Sequence, residues 1–65
     1  MTGTVQSLTP THVTISGVEY SYGEACEWLL QWAAERGSEI EVVVVSGRIV
    51  AVAMLRAGIV AEGDT

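Results

Sequence analysis

The chain contains no lysine and no phenylalanine, and it has one cysteine, one proline and one histidine among 65 residues. Each scarcity excludes something. A single thiol, Cys26, cannot close an intrachain disulfide, which fits a reducing compartment. One imidazole and one thiol far apart in sequence give no ligand cluster of the usual spacing, so no metal or other cofactor is expected. Three arginines against eight acids leave a formal net charge of −5. Such a surface repels phosphate backbones and anionic lipid at long range and raises the encounter rate with basic proteins. No run of about 18 apolar residues is present, so no membrane span is expected. "MTGTVQSLTP" lacks the basic and then apolar segments of a secretory signal. The glycines are scattered at turns and none builds a phosphate-cradling loop.

What is present is hydrophobic. At 49% apolar residues the chain is too hydrophobic to be disordered. Its length makes it one domain, expected over residues 1–61, with 62–65 as a frayed polar tail. A core this small rarely supplies more than about 3–5 kcal/mol of net stability.

The pattern alternates between strand and turn signals. Thr2–Leu8 has strand composition, and Thr9-Pro10-Thr11 is a turn, because proline fixes φ and cannot donate to a ladder. His12–Ser16 and Val18–Tyr22 alternate around a Ser16-Gly17 turn. A helix follows. Ser21 and Glu24 fit a capping box, Gly37 supplies the left-handed stop, and the acids Glu24 and Glu27 precede Arg36 as the helix dipole favours. At about 100° per residue, Tyr22, Ala25, Cys26, Leu29 and Ala33 form one stripe. Glu24, Glu27, Gln31 and Glu35 form the opposite stripe, with Trp28 near it and Trp32 at the boundary.

The segment "EVVVVSGRIVAVAML", Glu41 to Leu55, reads as a hairpin turning at Ser46-Gly47 or Gly47-Arg48. Strict alternation puts Ile40, Val42, Val44, Ile49, Ala51, Ala53 and Leu55 on one face, expected beneath the helix. It puts Val43, Val45, Val50, Val52 and Met54 on the other, with Glu39, Glu41, Arg48 and Arg56. That second face is too apolar to stand alone in water. It must meet the N-terminal strands in a closed barrel, or a second molecule.

The expected fold is therefore α+β, in the order β-β-β-α-β-β, with one amphipathic helix on an antiparallel sheet. The element order resembles the oligonucleotide-binding (OB) fold, whose helix lies between strands three and four. The resemblance implies closure into a small barrel.

Chemistry finds little support. Cys26 falls on the apolar side of the helix, where cysteines mostly pack, and His12 stands beside a turn. Glu39 and Glu41 share a strand face, more as solubilising charges than as an acid–base pair. No enzyme is expected. Nucleic-acid binding by an OB-like barrel needs aromatic platforms and a basic groove. Tyr20, Tyr22, Trp28 and Trp32 are available, but Arg36, Arg48 and Arg56 cannot supply the phosphate term, so no direct nucleic-acid contact is expected.

The most informative feature is an aromatic residue among carboxylates, a composition that suits a protein interface. The expected interaction residues are Glu24, Glu27, Trp28, Gln31, Glu35, Glu39 and Glu41. In size, charge and the stripe of Glu24, Glu27 and Glu35 with Trp28, the chain resembles the small acidic anti-CRISPR and anti-restriction proteins of phages and mobile elements, several of which act as DNA mimics. That resemblance implies an inhibitor in the cytoplasm of a bacterial host. It would bind a basic nucleic-acid-binding protein or complex of a defence system and occlude its nucleic-acid site. The alternative is an assembly module of a phage or accessory complex, self-associating as a homodimer through Val43, Val50, Val52 and Met54. An OB-like oligonucleotide-binding module stands behind both because of its charge.

Overall fold

A computed structural model of the chain describes residues 1–63. Six strands and one helix follow in the order β1 (Thr2–Leu8), β2 (His12–Ile15), β3 (Val18–Tyr22), α1 (Glu24–Arg36), β4 (Glu39–Val45), β5 (Arg48–Met54) and β6 (Ile59–Glu62). The fold is a small α+β domain with a mostly antiparallel sheet. Strand β1 pairs with β2 and β4, β2 with β3, β4 with β5, and β3 with β5 in parallel. These pairings close the circuit β1-β2-β3-β5-β4 into a five-stranded barrel, with β6 added beside β5.

Local chemistry explains the corners. The two hairpins turn at Ser16-Gly17 and Ser46-Gly47, and all four residues have positive φ. That is the two-residue turn whose twist matches the strands it joins, and it settles the second turn at Ser46-Gly47. Gly37 ends α1 in the left-handed region, at φ 62°, with its N–H donated to the Ala33 carbonyl. Gly3 has another role. A Cβ there would stand 2.8 Å from Ile15 Cγ2 and 3.1 Å from Ser16 Oγ, so only glycine lets β1 pass this close to the β2–β3 hairpin.

The core lies inside the barrel and beneath the helix. Val13, Ile15, Tyr22, Ile40, Val42, Ile49, Val52 and Met54 meet Cys26, Leu29, Leu30 and Ala33 there. Burial of these side chains is the main favourable term in so small a domain.

Three sequence expectations are corrected. First, strict alternation along β5 fails. Val43 pairs with Ala51 and Val44 with Ile49, which leaves Val50 as the extra residue of a β-bulge. One inserted residue reverses every later side chain. Val52 and Met54 therefore point into the core, 1% and 5% exposed, while the small Ala51 and Ala53 face outward with Val43. The phase that buries the larger side chains wins. Neither Val52 nor Met54 is available for self-association.

Second, the helix does not begin with a capping box. Its N-cap is Gly23, without a side-chain hydrogen bond. Ser21 is held in β3, where it pairs with Arg48 of β5 and its N–H reaches the Gly47 carbonyl. Third, Ile59–Glu62 is a strand, although the sequence offers only a short apolar patch there and places Glu62 in the tail. It pairs along β5, and the Gly63 N–H extends the ladder to the Val50 carbonyl at 2.8 Å. Asp64 and Thr65 of the expected frayed tail lie outside the described residues. Among the described residues, no helix is long and apolar enough to cross a membrane.

Candidate functional site

Helix α1 turns its inner side to the barrel through Cys26, Leu29, Leu30 and Ala33. Its outer side is solvated. Glu24, Trp28, Gln31 and Glu35 are exposed and Glu27 is half-buried. Spacings of three and four residues align them along one face, and the run from Glu24 to Glu35 spans about 16 Å at 1.5 Å per residue. Trp28 stands among them 52% exposed. Trp32, one turn on, packs against the core instead, and the Arg36 guanidinium covers its ring at 3.9 Å.

The helix face continues into the loop joining β1 and β2. The Tyr22 hydroxyl donates to the Thr9 carbonyl at 2.6 Å, drawing that loop to the start of the helix. Within the loop, Thr9 Oγ1 accepts from the His12 N–H at 3.0 Å, which fixes the corner around Pro10. Between loop and helix lies a recess of about 350 Å³ lined by Leu8, Thr9, Pro10, Tyr22, Glu27 and Gln31. Burial, and then the nearby Glu27 carboxylate, push the Tyr22 phenol above its usual pKa. The strand and turn members of this recess were not among the expected site residues. Only the turn signal at Pro10 marks them in sequence.

Glu39 and Glu41 do not join the helix face. They stand on β4, opposite Thr4 and Thr2 of β1. Glu39 lines a second groove, about 580 Å³, at the C-terminal end of α1, with Trp32, Arg36, Leu55 and Arg56. Opposite charges offset one another in that groove, and Arg36 also approaches Glu35 at 3.7 Å. Glu41 neighbours Ala53 on the outside of the sheet, where Val43, Ala51, Ala53 and Val60 make a low apolar surface. Val50 is half-buried at the bulge beside it.

Cys26 and His12 stand on different elements, α1 and β2. Cys26 is fully buried, and burial pushes its thiol up in pKa against a smaller opposing effect of Arg48. Its Sγ faces the carbonyls of Ala61 and Gly63 at 3.8 and 3.7 Å. His12 is exposed, with Nδ1 2.9 Å from Thr11 Oγ1. Among the described residues, no three of His, Cys, Asp and Glu come together as metal ligands would.

The fold and surface thus define a small acidic barrel with a carboxylate-lined helix on its outside. Comparison with protein-family models, with curated proteins and with solved structures gives no match for the chain.

Proposed function

We propose that the chain is an acidic protein-binding module whose outer helix face docks on a basic partner. The observation that carries this reading is Trp28, half exposed at the middle of a face otherwise made of Glu24, Glu27, Gln31 and Glu35. A tryptophan left in water gains more from burial against a partner than any other residue on that face. The surrounding carboxylates supply the field that brings a cationic partner to it. In its specific form the partner is a nucleic-acid-handling complex of a bacterial defence system, and the helix face occupies part of its nucleic-acid site. The roughly 16 Å length of the stripe matches a short recognition element better than a long duplex track.

The closed strand order supports the likeness to OB barrels, which bind through the outer face of strands two and three. Here those strands turn His12, Thr14, Glu19 and Ser21 outward in paired register, and Tyr22 is in the core. Neither strand contains lysine or arginine. This composition weighs against single-strand binding, which needs stacking rings and cations.

A second reading is self-association through the outside of β4, β5 and β6. Val43, Val45 and Val60 are 52%, 55% and 58% exposed there. A patch of valines and alanines is small beside the about 800 Å² per partner of a stable interface, which ranks this reading second.

The test is capture from bacterial lysate at low and high salt, with wild type and the Glu24→Gln/Glu27→Gln/Glu35→Gln variant side by side. The proposal expects a basic nucleic-acid-binding protein held at low salt, released at high salt, displaced by added DNA and not retained by the variant. Equal retention by the variant would refute it. Recovery of the chain alone, insensitive to salt, would favour the second reading.

A further inference from the structure

We infer that the recess between the β1–β2 loop and α1 is a subsite for an arginine side chain of the partner. The arginine stem would lie against Leu8, Pro10 and the Tyr22 ring, with its guanidinium on the Glu27 carboxylate. The inference rests on the reading of the helix face given above and assigns one contact within it.

Three observations converge. The recess holds about 350 Å³, enough for one long side chain, and it joins the helix face to the β1–β2 loop. Its lining combines the apolar Leu8, Pro10 and Tyr22 with Thr9, Glu27 and Gln31, which carry acceptor oxygens. An arginine needs that combination, because its alkyl stem seeks apolar contact and its five N–H donors need oxygens. Glu27 and Gln31 both line the recess, and the Thr9 carbonyl keeps a second lone pair beside the one used by Tyr22.

Glu27 is also half-buried without a cation. Among the described residues the ion pair formed is Arg36 with Glu35, on the last turn of the helix, and no hydrogen bond reaches the Glu27 side chain. A carboxylate partly withdrawn from water and left unpaired binds a guanidinium more strongly than an exposed one, because screening is weaker there. The larger groove at the other end of α1 offers no such preference, since Arg36 and Arg56 line it along with Glu39.

The probe is N-acetyl-arginine methylamide, titrated into the full chain at fixed ionic strength and followed by amide NMR shifts. N-acetyl-norleucine methylamide serves as the uncharged control. Saturable shifts confined to Leu8–Thr11, Tyr22, Glu27 and Gln31 are expected, with affinity about tenfold weaker in Glu27→Gln. Glu19→Gln, on β3 and outside the lining of the recess, removes the same charge and should leave the affinity unchanged. Shifts spread over all exposed glutamates without saturation would overturn the inference. So would equal losses in the two variants, or equal shifts with the norleucine control. If a basic partner is captured through the helix face while the arginine probe ignores the recess, the subsite falls and the reading of the face stands. If the probe saturates the recess and no basic protein is retained, the subsite stands without that reading.

Discussion

The phenol of Tyr22 holds the carbonyl of Thr9 at 2.6 Å, and this bond sets the wall of the recess against the helix that carries the acidic face. Strand β3 ends in Tyr22 just before the N-cap Gly23, so the same residue closes the core and positions the loop. Tyr22→Phe should cost about 1–2 kcal/mol, because it leaves a partly buried carbonyl without its donor. Denaturant unfolding checks the stability. Loss of arginine-probe affinity in the same variant would show that the loop had moved.

The same residue makes stability depend on alkaline pH. Burial first, and Glu27 second, raise the folded-state phenol above its usual value of 10.0. The folded state then keeps a proton that the unfolded state gives up. This contribution is fully present below about pH 10 and is lost as pH rises through the folded value. Wild type should therefore lose stability more steeply than Tyr22→Phe above pH 10, as read by denaturant midpoints across pH 9–11.

The bulge at Val50 is tested by a pair of truncations. Met54→Ala should cost about 2–5 kcal/mol, since Met54 is only 5% exposed. Val43→Ala, on the outer side, should stay within about 0.5 kcal/mol. Strict alternation puts both residues on one face and predicts similar costs. Equal destabilisation would therefore restore that register.

Gly3 is predicted to be intolerant of any side chain. With Ile15 Cγ2 at 2.8 Å from the position of its missing Cβ, Gly3→Val must push β1 off the hairpin and should cost about 1–3 kcal/mol. Thermal unfolding measures it, and an unchanged midpoint would show that β1 is free to shift.

Cys26 should be silent to thiol reagents while the protein is folded. It has no exposed surface and its thiol is raised in pKa chiefly by burial. Labelling by a disulfide reagent should be slower than in denaturant by about a hundredfold or more, for a domain stabilised by about 3–5 kcal/mol. Rapid labelling under native conditions would mean that β6 opens readily over the helix.

Much of this architecture could be read from the residues, and the failures have specific causes. Gly17 and Gly47 mark the two hairpins because few residues accept positive φ, although the sequence leaves the second turn open between Ser46-Gly47 and Gly47-Arg48, and Gly37 names the end of the helix for the same reason. The order of the first five strands and the helix follows from the change in period. The bulge at Val50 left no mark, since every residue from Val42 to Val45 and from Ile49 to Met54 is apolar and either phase looks plausible in sequence. Only the relative size of Val52 and Met54 against Ala51 and Ala53 favoured the observed one. The capping box at Ser21 was a sound local signal overridden by a distant one, the parallel pairing with Arg48. Strand β6 was missed because four residues with a single buried alanine carry almost no periodicity. Of the candidate site, Glu24, Glu27, Trp28, Gln31 and Glu35 follow from helical spacing. The recess does not, because Leu8, Thr9 and Pro10 reach the helix only through the fold.

Closure of the barrel has a kinetic consequence. The β2–β3 and β4–β5 hairpins turn within two residues and can form in about 1–10 μs. The seam between β1 and β4 joins Thr2 to Glu41, and it must wait until everything between them has collapsed. Until then the edge of β4, with its run of four valines, is a bare template for strand addition. In the folded chain that edge is stitched as far as Val42, whose N–H reaches the Met1 carbonyl at 2.7 Å. Aggregation during expression or refolding is thus governed by how long the seam stays open, and conditions that speed its zipping will raise yield even where they leave equilibrium stability unchanged.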